Sequence, residues 1–288
     1  NIKFDCKDIK NLGIVKNRDD TAMLTEVLAR RFKNYQTDIK SDKFLKEENN
    51  TKIPDLIIID GGIPQLSAVE KIFNKLEPSG WGRVLKPFIF SLEFEKILTD
   101  LYNLSNDGKR FTPVLKDVFR AFEECPYDDL KVIIVGQDPY PTLDVADGIA
   151  FSCSKSEKEQ PSLRFILDEV EKLYPEGYKR PLDLSKWSRQ GILLLNTALT
   201  TEVGKIGQHY DIWAPFVAYV FDYLKNFNPG LVYVYMGKKS QEWADMCGEN
   251  CTKFMVSHPA SAAYNGSKWD SKGVFQEVQT TVKHLYNY

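Results

Sequence analysis

The segment VIIVGQDPYP, residues 132–141, places an acidic side chain where an apolar strand ends. Its first four residues are β-branched and predict a buried strand, which Gly136 and Pro139 terminate. Asp138 therefore lies at the carboxyl end of a strand, where open α/β sheets bind their ligands. The simpler alternative is an ordinary strand-to-loop turn in which Asp138 caps the next helix.

Three further apolar runs end on small or polar residues. GILLLN ends at Asn196, LVYVYMG precedes Lys238 and Lys239, and CTKFMVS precedes His258. If these strands are parallel to the first, an acid, an amide, a cationic turn and a histidine meet at one edge of the sheet. With Phe151 a short loop away, the combination predicts one cleft that is built for chemistry.

The elements that must position these side chains follow from periodicity. Apolar residues at helical spacing predict helices at TPVLKDVFRAF (112–122), SLRFILDEVEKLY (162–174) and WAPFVAYVFDYLKNF (213–227). Parallel strands joined by helices require right-handed crossovers. The sequence therefore predicts an α/β fold with a central four-stranded parallel sheet flanked by helices.

The composition is typical of a soluble globular protein, with 43% apolar and 12% aromatic residues in a chain of 288. A net charge of −2 argues against a protein that coats nucleic acid non-specifically. No apolar stretch is long enough to span a membrane, and no export signal is visible. We therefore expect a protein that is cytoplasmic and not secreted, although a chain that opens on Asn1 could be a fragment.

The five cysteines are scattered, odd in number and unlike a disulfide framework, which indicates a reducing compartment. Cys247 and Cys251 lie close together and precede His258, so these three side chains could in principle bind zinc. A fourth ligand is missing and the spacing is loose. We therefore predict no metal site.

Over residues 80–288 the sequence resembles the family 1 uracil-DNA glycosylases. GQDPYP (136–141) is similar to the family's water-activating loop GQDPYH, and ADGIAFS (146–152) is similar to the segment that carries its uracil-stacking Phe. Three more segments occur in family order, namely the proline-rich loop at QPSL (160–163), the base-reading strand at GILLLNTALT (191–200) and the start of the intercalation loop at SHPAS (257–261).

The resemblance implies an enzyme that flips uracil out of DNA and hydrolyses its N-glycosidic bond, leaving an abasic site. It implies that Asp138 stabilises the developing sugar cation and orients the attacking water. His258, in its neutral form, would donate a hydrogen bond to uracil O2. No metal or organic cofactor is implied.

The resemblance also implies four substrate-binding residues. Phe151 would stack on uracil, Asn196 would read its N3 and O4 edge, and Tyr140 would exclude the methyl group of thymine, with Gln137 in the same loop. Taken singly, Phe151 is more often a core residue, and Asn196 and His258 are more often structural residues of strand ends and loops.

Ser162, His209, Ser261 and Lys238 are candidates for phosphate contacts, although His209 taken singly is more often a plain surface residue. The family's wedging Leu is Ala262 here, which is too small to fill a vacated base position. We expect Tyr264 or Trp269 to replace it, or else weaker flipping on duplex than on single-stranded DNA. The His that ends the family's GQDPYH motif is Pro141 here, as in the poxviral branch.

A composition break at LEPSGWG (76–82) predicts a domain boundary after residue 79. The first 79 residues resemble part of the C-terminal nuclease domain of UvrC, which has an RNase H-like fold. The resemblance implies that Asp20 and Asp60 occupy two metal-binding positions of that family. Because the family's first Asp and later His have no counterpart here, we expect a nuclease-inactive remnant that docks a protein partner or positions DNA.

Two functions therefore compete. The first is a uracil-DNA glycosylase acting on single- or double-stranded DNA that contains uracil. The second is a glycosylase-fold module that binds DNA or a replication protein, with weak or lost catalysis. Neither involves a membrane, and a compact fusion of two repair-like pieces would suit a phage or another virus, acting in the cytoplasm of its host.

Overall fold

The computed structural model describes residues 71–174, 176–266 and 268–286. The chain divides into two compact units, Asn1–Leu66 and Ser67–Tyr288, and the described residues belong to the second. Asp20 and Asp60 lie outside the described residues, as does the predicted remnant up to residue 70.

The described residues contain six strands. They are β1 (Phe111–Thr112), β2 (Val132–Gly136), β3 (Ile192–Asn196), β4 (Thr201–Glu202), β5 (Val232–Met236) and β6 (Thr252–Val256). Four of them form one parallel sheet in the order β3-β2-β5-β6, which confirms the predicted centre of the fold. Strands β2 and β5 are buried along their whole length because they occupy the middle of the sheet, which explains their unbroken apolar sequences.

The register of the sheet brings the strand ends to one edge. Gly136 at the end of β2 lies opposite Asn196 at the end of β3. On the other side of the sheet, Met236 at the end of β5 lies opposite Val256 at the end of β6. The residues that follow these strands therefore emerge side by side.

Helices flank this sheet in the described part of the chain. They are α1 (Trp81–Ile89), α2 (Leu92–Asn106), α3 (Arg120–Glu124), α4 (Pro161–Glu171), α5 (Ser185–Ser188), α6 (Tyr210–Phe227), α7 (Lys238–Gln241), α8 (Ala260–Asn265) and α9 (Val274–Tyr286). The helices predicted at 162–174 and 213–227 are confirmed as α4 and α6. None of the described helices is long and apolar enough to cross a membrane.

The single helix predicted at residues 112–122 is wrong. Thr112 instead pairs with Thr201 in a small antiparallel sheet of β1 and β4. Pro113 follows directly, and a short 3-10 turn at Leu115–Asp117 precedes α3. A helix cannot continue through residues that are already paired as a strand, and apolar periodicity does not reveal that pairing.

Aromatic rings fix the position of α6 against the other helices. Phe216 of α6 meets Phe88 of α1 with ring centroids 5.5 Å apart, and it meets Phe119 at 5.6 Å and Phe122 at 5.7 Å. All three contacts are edge to face, the arrangement that aromatic pairs favour. They anchor the helix whose first residue, Tyr210, reaches the candidate site.

Residues 71–79 pack with the C-terminal unit. Leu76 is fully buried in its core, and the Tyr127 N–H donates a 2.8 Å hydrogen bond to the Ser79 carbonyl. The compact unit begins at Ser67. A functional division at residue 79 stays a prediction.

The expectation that the cysteines are unpaired is corrected for one pair. Cys247 and Cys251 form a disulfide, because the turn between them brings their Cα atoms to 6.1 Å. Among the other cysteines that the structure describes, Cys125 and Cys153 are free and buried.

Candidate active site

A pocket of about 320 Å³ lies at the carboxyl edge of the sheet. It brings together all six residues predicted for catalysis or substrate binding, namely Gln137, Asp138, Tyr140, Phe151, Asn196 and His258. They come from the end of β3, from the segments that follow β2 and β6, and from the loop that carries Phe151. Parallel strands in register produce this convergence.

Asp138 is held through both of its carboxylate oxygens. The Gly207 N–H donates to Oδ2 at 2.6 Å, and the Tyr210 hydroxyl donates to Oδ1 at 3.1 Å. Burial raises the pKa of Asp138 above its ordinary value, and the two donated hydrogen bonds act in the opposite direction. The carboxylate is thus oriented and more basic than an exposed aspartate, which suits a group that accepts a proton.

Asn196 occupies space that Gly136 leaves open. A Cβ atom on Gly136 would collide with Asn196 Oδ1 and would lie 3.3 Å from both Ala150 Cβ and Phe151 Cε2. Glycine at this strand end therefore lets the amide and the aromatic ring approach the backbone closely. The sequence predicts Gly136 as the end of a strand and the first residue of the GQDPYP motif, but it does not predict this close approach to Asn196.

Phe151 sits in a strained loop that a buried carboxylate organises. Phe151 has a φ of 66°, in the left-handed region that non-glycine residues rarely adopt. Asp147, 1% exposed, accepts hydrogen bonds from the Ser152 hydroxyl at 2.7 Å and the Ser154 N–H at 2.9 Å, and it pairs with Arg120 at 3.0 Å. The hydrogen bonds join Asp147, which precedes Phe151, to two residues that follow it, and so fix the loop that carries the ring. No pattern in the sequence singles out Asp147.

Tyr140 and Gln137 complete the wall beside Phe151. The Tyr140 hydroxyl donates to the Phe151 carbonyl at 2.9 Å, which ties the loop after β2 to the aromatic loop. The Gln137 carbonyl accepts from the Thr197 hydroxyl at 2.9 Å and from the Ala198 N–H at 3.1 Å. These two hydrogen bonds join the loop after β2 to the loop after β3.

His258 faces Phe151, with ring centroids 5.9 Å apart. The Ala260 N–H donates to His258 Nδ1 at 3.2 Å, so Nδ1 is an acceptor and the single proton of a neutral ring sits on Nε2. Burial lowers the pKa of His258 to about 4. The imidazole is neutral at pH 7 and keeps Nε2–H as a donor.

The residues predicted to contact phosphates have different surroundings. Ser162 is buried and lines the pocket, and Ser261 is exposed at its rim, with its hydroxyl donating to the His258 carbonyl at 2.7 Å. Lys238 is exposed and lines an adjoining groove together with Lys272.

A direct phosphate contact by His209 is not compatible with its surroundings. The ring is 2% exposed, and Nδ1 lies 2.9 Å from the Thr200 hydroxyl oxygen. Phe111 packs edge to face against it, with centroids 5.9 Å apart. His209 instead anchors the start of α6.

Trp269 is likewise buried where a wedge was expected. It is 5% exposed, and its Nε1–H donates to the Ser257 carbonyl at 3.0 Å. Its ring packs on Phe275. Tyr264 lies in α8, and its side chain is outside the described residues.

No group of three or more metal-ligating side chains lies together in the part of the chain that the structure describes. Of the functional residues that sequence reasoning missed, Tyr210 and Gly207 matter most, because they contact Asp138. They follow it by 72 and 69 positions, and no local pattern in the sequence connects them.

The lowered pKa of His258 predicts a specific pH dependence of stability. In the unfolded chain His258 takes up a proton below pH 6.5, whereas in the folded chain its imidazole stays neutral until about pH 4. The free energy of unfolding therefore falls as pH drops from 6.5 to 4, by up to about 3 kcal/mol from this group. We expect His258→Gln to remove that part of the fall in urea titrations at pH 4, 5, 6 and 7.

His284→Gln, at an exposed histidine of α9, is the matched control and should keep the slope of the unmodified protein. His209 is present in both proteins, so its own lowered pKa cancels in the comparison. Equal slopes for His258→Gln and the unmodified protein would contradict the account of His258.

The comparisons with known proteins agree with this geometry. Residues 122–283 match the family model of the uracil DNA glycosylase superfamily, and residues 3–81 match that of the UvrC RNAse H endonuclease domain. The chain is 32% identical to a uracil-DNA glycosylase of Acinetobacter baumannii over 211 residues, which cover 73% of this chain and 89% of the relative. A uracil-DNA glycosylase of Francisella philomiragia is 37% identical over 180 residues, covering 60% of this chain and 81% of the relative.

Solved structures show the same fold. The crystal structure of mimivirus uracil-DNA glycosylase superimposes with a TM-score of 0.60 at 23% identity, covering 72% of this chain and 78% of that chain. The two curated relatives are bacterial and give no support to the viral source expected from the sequence. Because the family model matches more than half of the chain, and the Acinetobacter relative is matched over most of its length, the chain belongs to the uracil-DNA glycosylase superfamily.

Proposed function

We propose that the chain is a uracil-DNA glycosylase that takes uracil out of the DNA stack and hydrolyses the bond between its N1 and deoxyribose C1′. The products are free uracil and an abasic site. Residues 80–288 carry this activity, and the substrate is DNA containing uracil in single or double strands.

The pocket suits a flipped pyrimidine. The Phe151 ring offers a stacking surface, and the Asn196 amide can accept from uracil N3–H and donate to O4. Cytosine reverses both of these groups and would leave polar atoms unpaired in the pocket. Tyr140, tied to the Phe151 carbonyl, forms the wall that would exclude the methyl group of thymine.

Uracil is the leaving group of the hydrolysis. The electron pair of the N1–C1′ bond moves onto the base, and a water oxygen bonds to C1′ while its proton passes to the Asp138 carboxylate. Asp138 then releases this proton to solvent, and the uracil anion takes up a proton from water to give free uracil. The negative carboxylate also stabilises the cationic sugar of the transition state. His258 Nε2–H donates to the charge that develops on uracil O2.

One feature of the pocket carries the proposal: Asp138 and a neutral His258 line the same 320 Å³ cavity and have complementary hydrogen-bonding roles. Asp138 accepts through both oxygens, and His258 keeps a donor because its Nδ1 is occupied by the Ala260 N–H. An acceptor for water and a donor for a leaving base are the two groups that such hydrolysis needs.

A basic groove beside the pocket supports DNA binding. Lys238, Lys272 and Ser261 line this groove, and Gln137 and His258 line both the groove and the pocket. Ammonium and hydroxyl groups in continuity with a base pocket suit the phosphates next to a flipped nucleotide. Ser162, buried in the pocket wall, belongs to the same proposed contact set.

A second candidate function is a DNA-binding or replication-protein docking module with weak catalysis. It is favoured by two observations: Ala262, where the family has its wedging Leu, is 5% exposed, and Trp269 is buried. For residues 1–79 we propose a nuclease-inactive remnant that docks a partner or positions DNA. GGIPQL, where the UvrC family has GGKGQL, lacks that family's Lys.

Incubation of the purified chain in EDTA with uracil-containing oligonucleotides, single- and double-stranded, followed by alkali, tests the activity. We expect cleavage at uracil, and we expect Asp138→Asn to be about 10²–10⁴-fold slower because it loses the charge and the base. Asp144→Asn, at an exposed carboxylate in the same loop, is the matched control and should retain the full rate.

DNA binding without cleavage by the unmodified chain would refute the glycosylase proposal and favour the docking module. A parallel reaction in Mg²⁺ with uracil-free DNA tests the N-terminal remnant. Metal-dependent nicking there would contradict its proposed inactivity.

Gly136→Ala should impair catalysis more than folding. The added Cβ would displace the Asn196 amide and press on the Phe151 ring, while the strand backbone suits alanine. We expect kcat/KM on uracil-containing DNA to fall about 10²-fold, because small misplacements in a site have effects of that size. Cleavage kinetics and circular dichroism together check this, and an unchanged kcat/KM would show that the close approach at Gly136 is dispensable.

A further inference from the structure

Asp138 receives its side-chain hydrogen bond from an element far away in the sequence. The Tyr210 hydroxyl, from the first residue of α6, donates to Oδ1 at 3.1 Å. The Gly207 N–H donates to Oδ2 at 2.6 Å from the loop that precedes the helix. One oxygen is therefore held by the backbone and the other by a side chain.

Buried hydrogen bonds hold the start of α6 in place. The Thr200 hydroxyl oxygen lies 2.9 Å from His209 Nδ1 and accepts from Trp213 Nε1–H at 2.7 Å. All three residues are buried. Tyr210, next to His209, thus projects into the pocket from a rigid base.

The loop after β2 does not supply an equivalent group. Pro141 lines the pocket at the place where the glycosylase motif has a histidine, and its ring has no hydrogen-bonding group. The Thr201 hydroxyl also faces Asp138 and, like Tyr210, favours its charged form. Its own 2.9 Å hydrogen bond is donated to the Lys205 carbonyl, whereas the Tyr210 hydroxyl donates to Asp138 Oδ1 at 3.1 Å.

We propose that Tyr210 is a positioning residue for catalysis, whose hydroxyl holds Asp138 Oδ1 and so aims the carboxylate at the sugar and the attacking water. The inference rests on the proposed glycosylase activity. It assigns to α6 an orienting function that the motif after β2 does not provide in this chain.

A cation also contacts the aromatic ring of Tyr210. The Lys239 ammonium of α7 lies 5.6 Å from the centroid of the Tyr210 ring, a cation–π distance. Lys239 also pairs with Glu242 at 3.1 Å. Tyr210 therefore has two partners, Asp138 at its hydroxyl and Lys239 at its ring.

The hydrogen bond from the Tyr210 hydroxyl changes the pKa of Asp138, an effect that packing of the Tyr210 ring alone would not produce. The groups that face Asp138 are Tyr210, the Thr201 hydroxyl, the Gly207 N–H and, across the pocket, His258; those that face Tyr210 are Asp138, Lys239 and Glu242. The Tyr210 hydroxyl donates to the charged form of Asp138 and lowers its pKa. Its removal raises that pKa, so the acid limb of the pH–rate profile moves to higher pH.

Tyr210→Phe tests the inference, because it keeps the ring and removes the hydroxyl. In single-turnover and steady-state assays on uracil-containing DNA we expect kcat to fall about 10- to 100-fold with little change in KM. The acid limb should move to higher pH. A ¹³C NMR titration of the Asp138 carboxyl in the DNA-free protein should show the same upward change in pKa.

Tyr219→Phe is the matched control, since Tyr219 lies on the same helix and its hydroxyl donates to the Val84 carbonyl at 2.8 Å, outside the pocket. It should keep the kcat, the acid limb and the Asp138 pKa of the unmodified protein. A general loosening of α6 would affect both variants, whereas loss of positioning affects only Tyr210→Phe.

The outcomes separate the two proposals. If the unmodified chain cleaves at uracil and Tyr210→Phe matches Tyr219→Phe in rate and acid limb, the inference on Tyr210 alone is overturned. A pKa change without a fall in kcat also overturns it. If the unmodified chain does not cleave, the glycosylase proposal fails and the role of Tyr210 fails with it.

Discussion

The in-register pairing of β2 with β3 is the constraint on which the site depends. It sets Gly136 opposite Asn196, and the missing side chain of the glycine lets the amide and the Phe151 ring occupy the same small volume. A one-residue slip would turn Asn196 to the other face of the sheet. The parallel arrangement then brings Asp138 and His258 to the same edge.

Buried polar groups outside the sheet also fix segments that line the pocket. Asp147 closes the aromatic loop around Phe151 through bonds to the backbone, a serine hydroxyl and Arg120. Thr200 fastens the start of α6 through His209. Both carboxylate and imidazole are almost fully enclosed, where satisfied polar networks favour one arrangement over its alternatives. Neither residue lines the pocket, and each holds in place a segment that does.

The sheet and most of the pocket could be predicted, because strand type and strand ends are local properties of the sequence. Asp138, Asn196 and His258 each follow an apolar run, and parallel pairing alone brings them together. Contacts made by docking of distant elements were not predictable. Tyr210 reaches Asp138 because aromatic packing fixes α6. Trp269 is buried because its Nε1–H donates to the Ser257 carbonyl and its ring packs against Phe275. The hydrophobic periodicity of a segment shows which of its residues are buried, but it does not show which distant residues they contact.

A crystal structure with DNA that carries 2′-fluoro-2′-deoxyuridine, whose glycosidic bond resists hydrolysis, would show directly whether the pocket takes up a flipped uracil. We expect the uracil to stack on Phe151, with Asn196 paired to N3 and O4, His258 Nε2 within hydrogen-bond distance of O2, and the Asp138 carboxylate beneath C1′. A uracil that remains stacked in the DNA, with the protein bound through another surface, would contradict it.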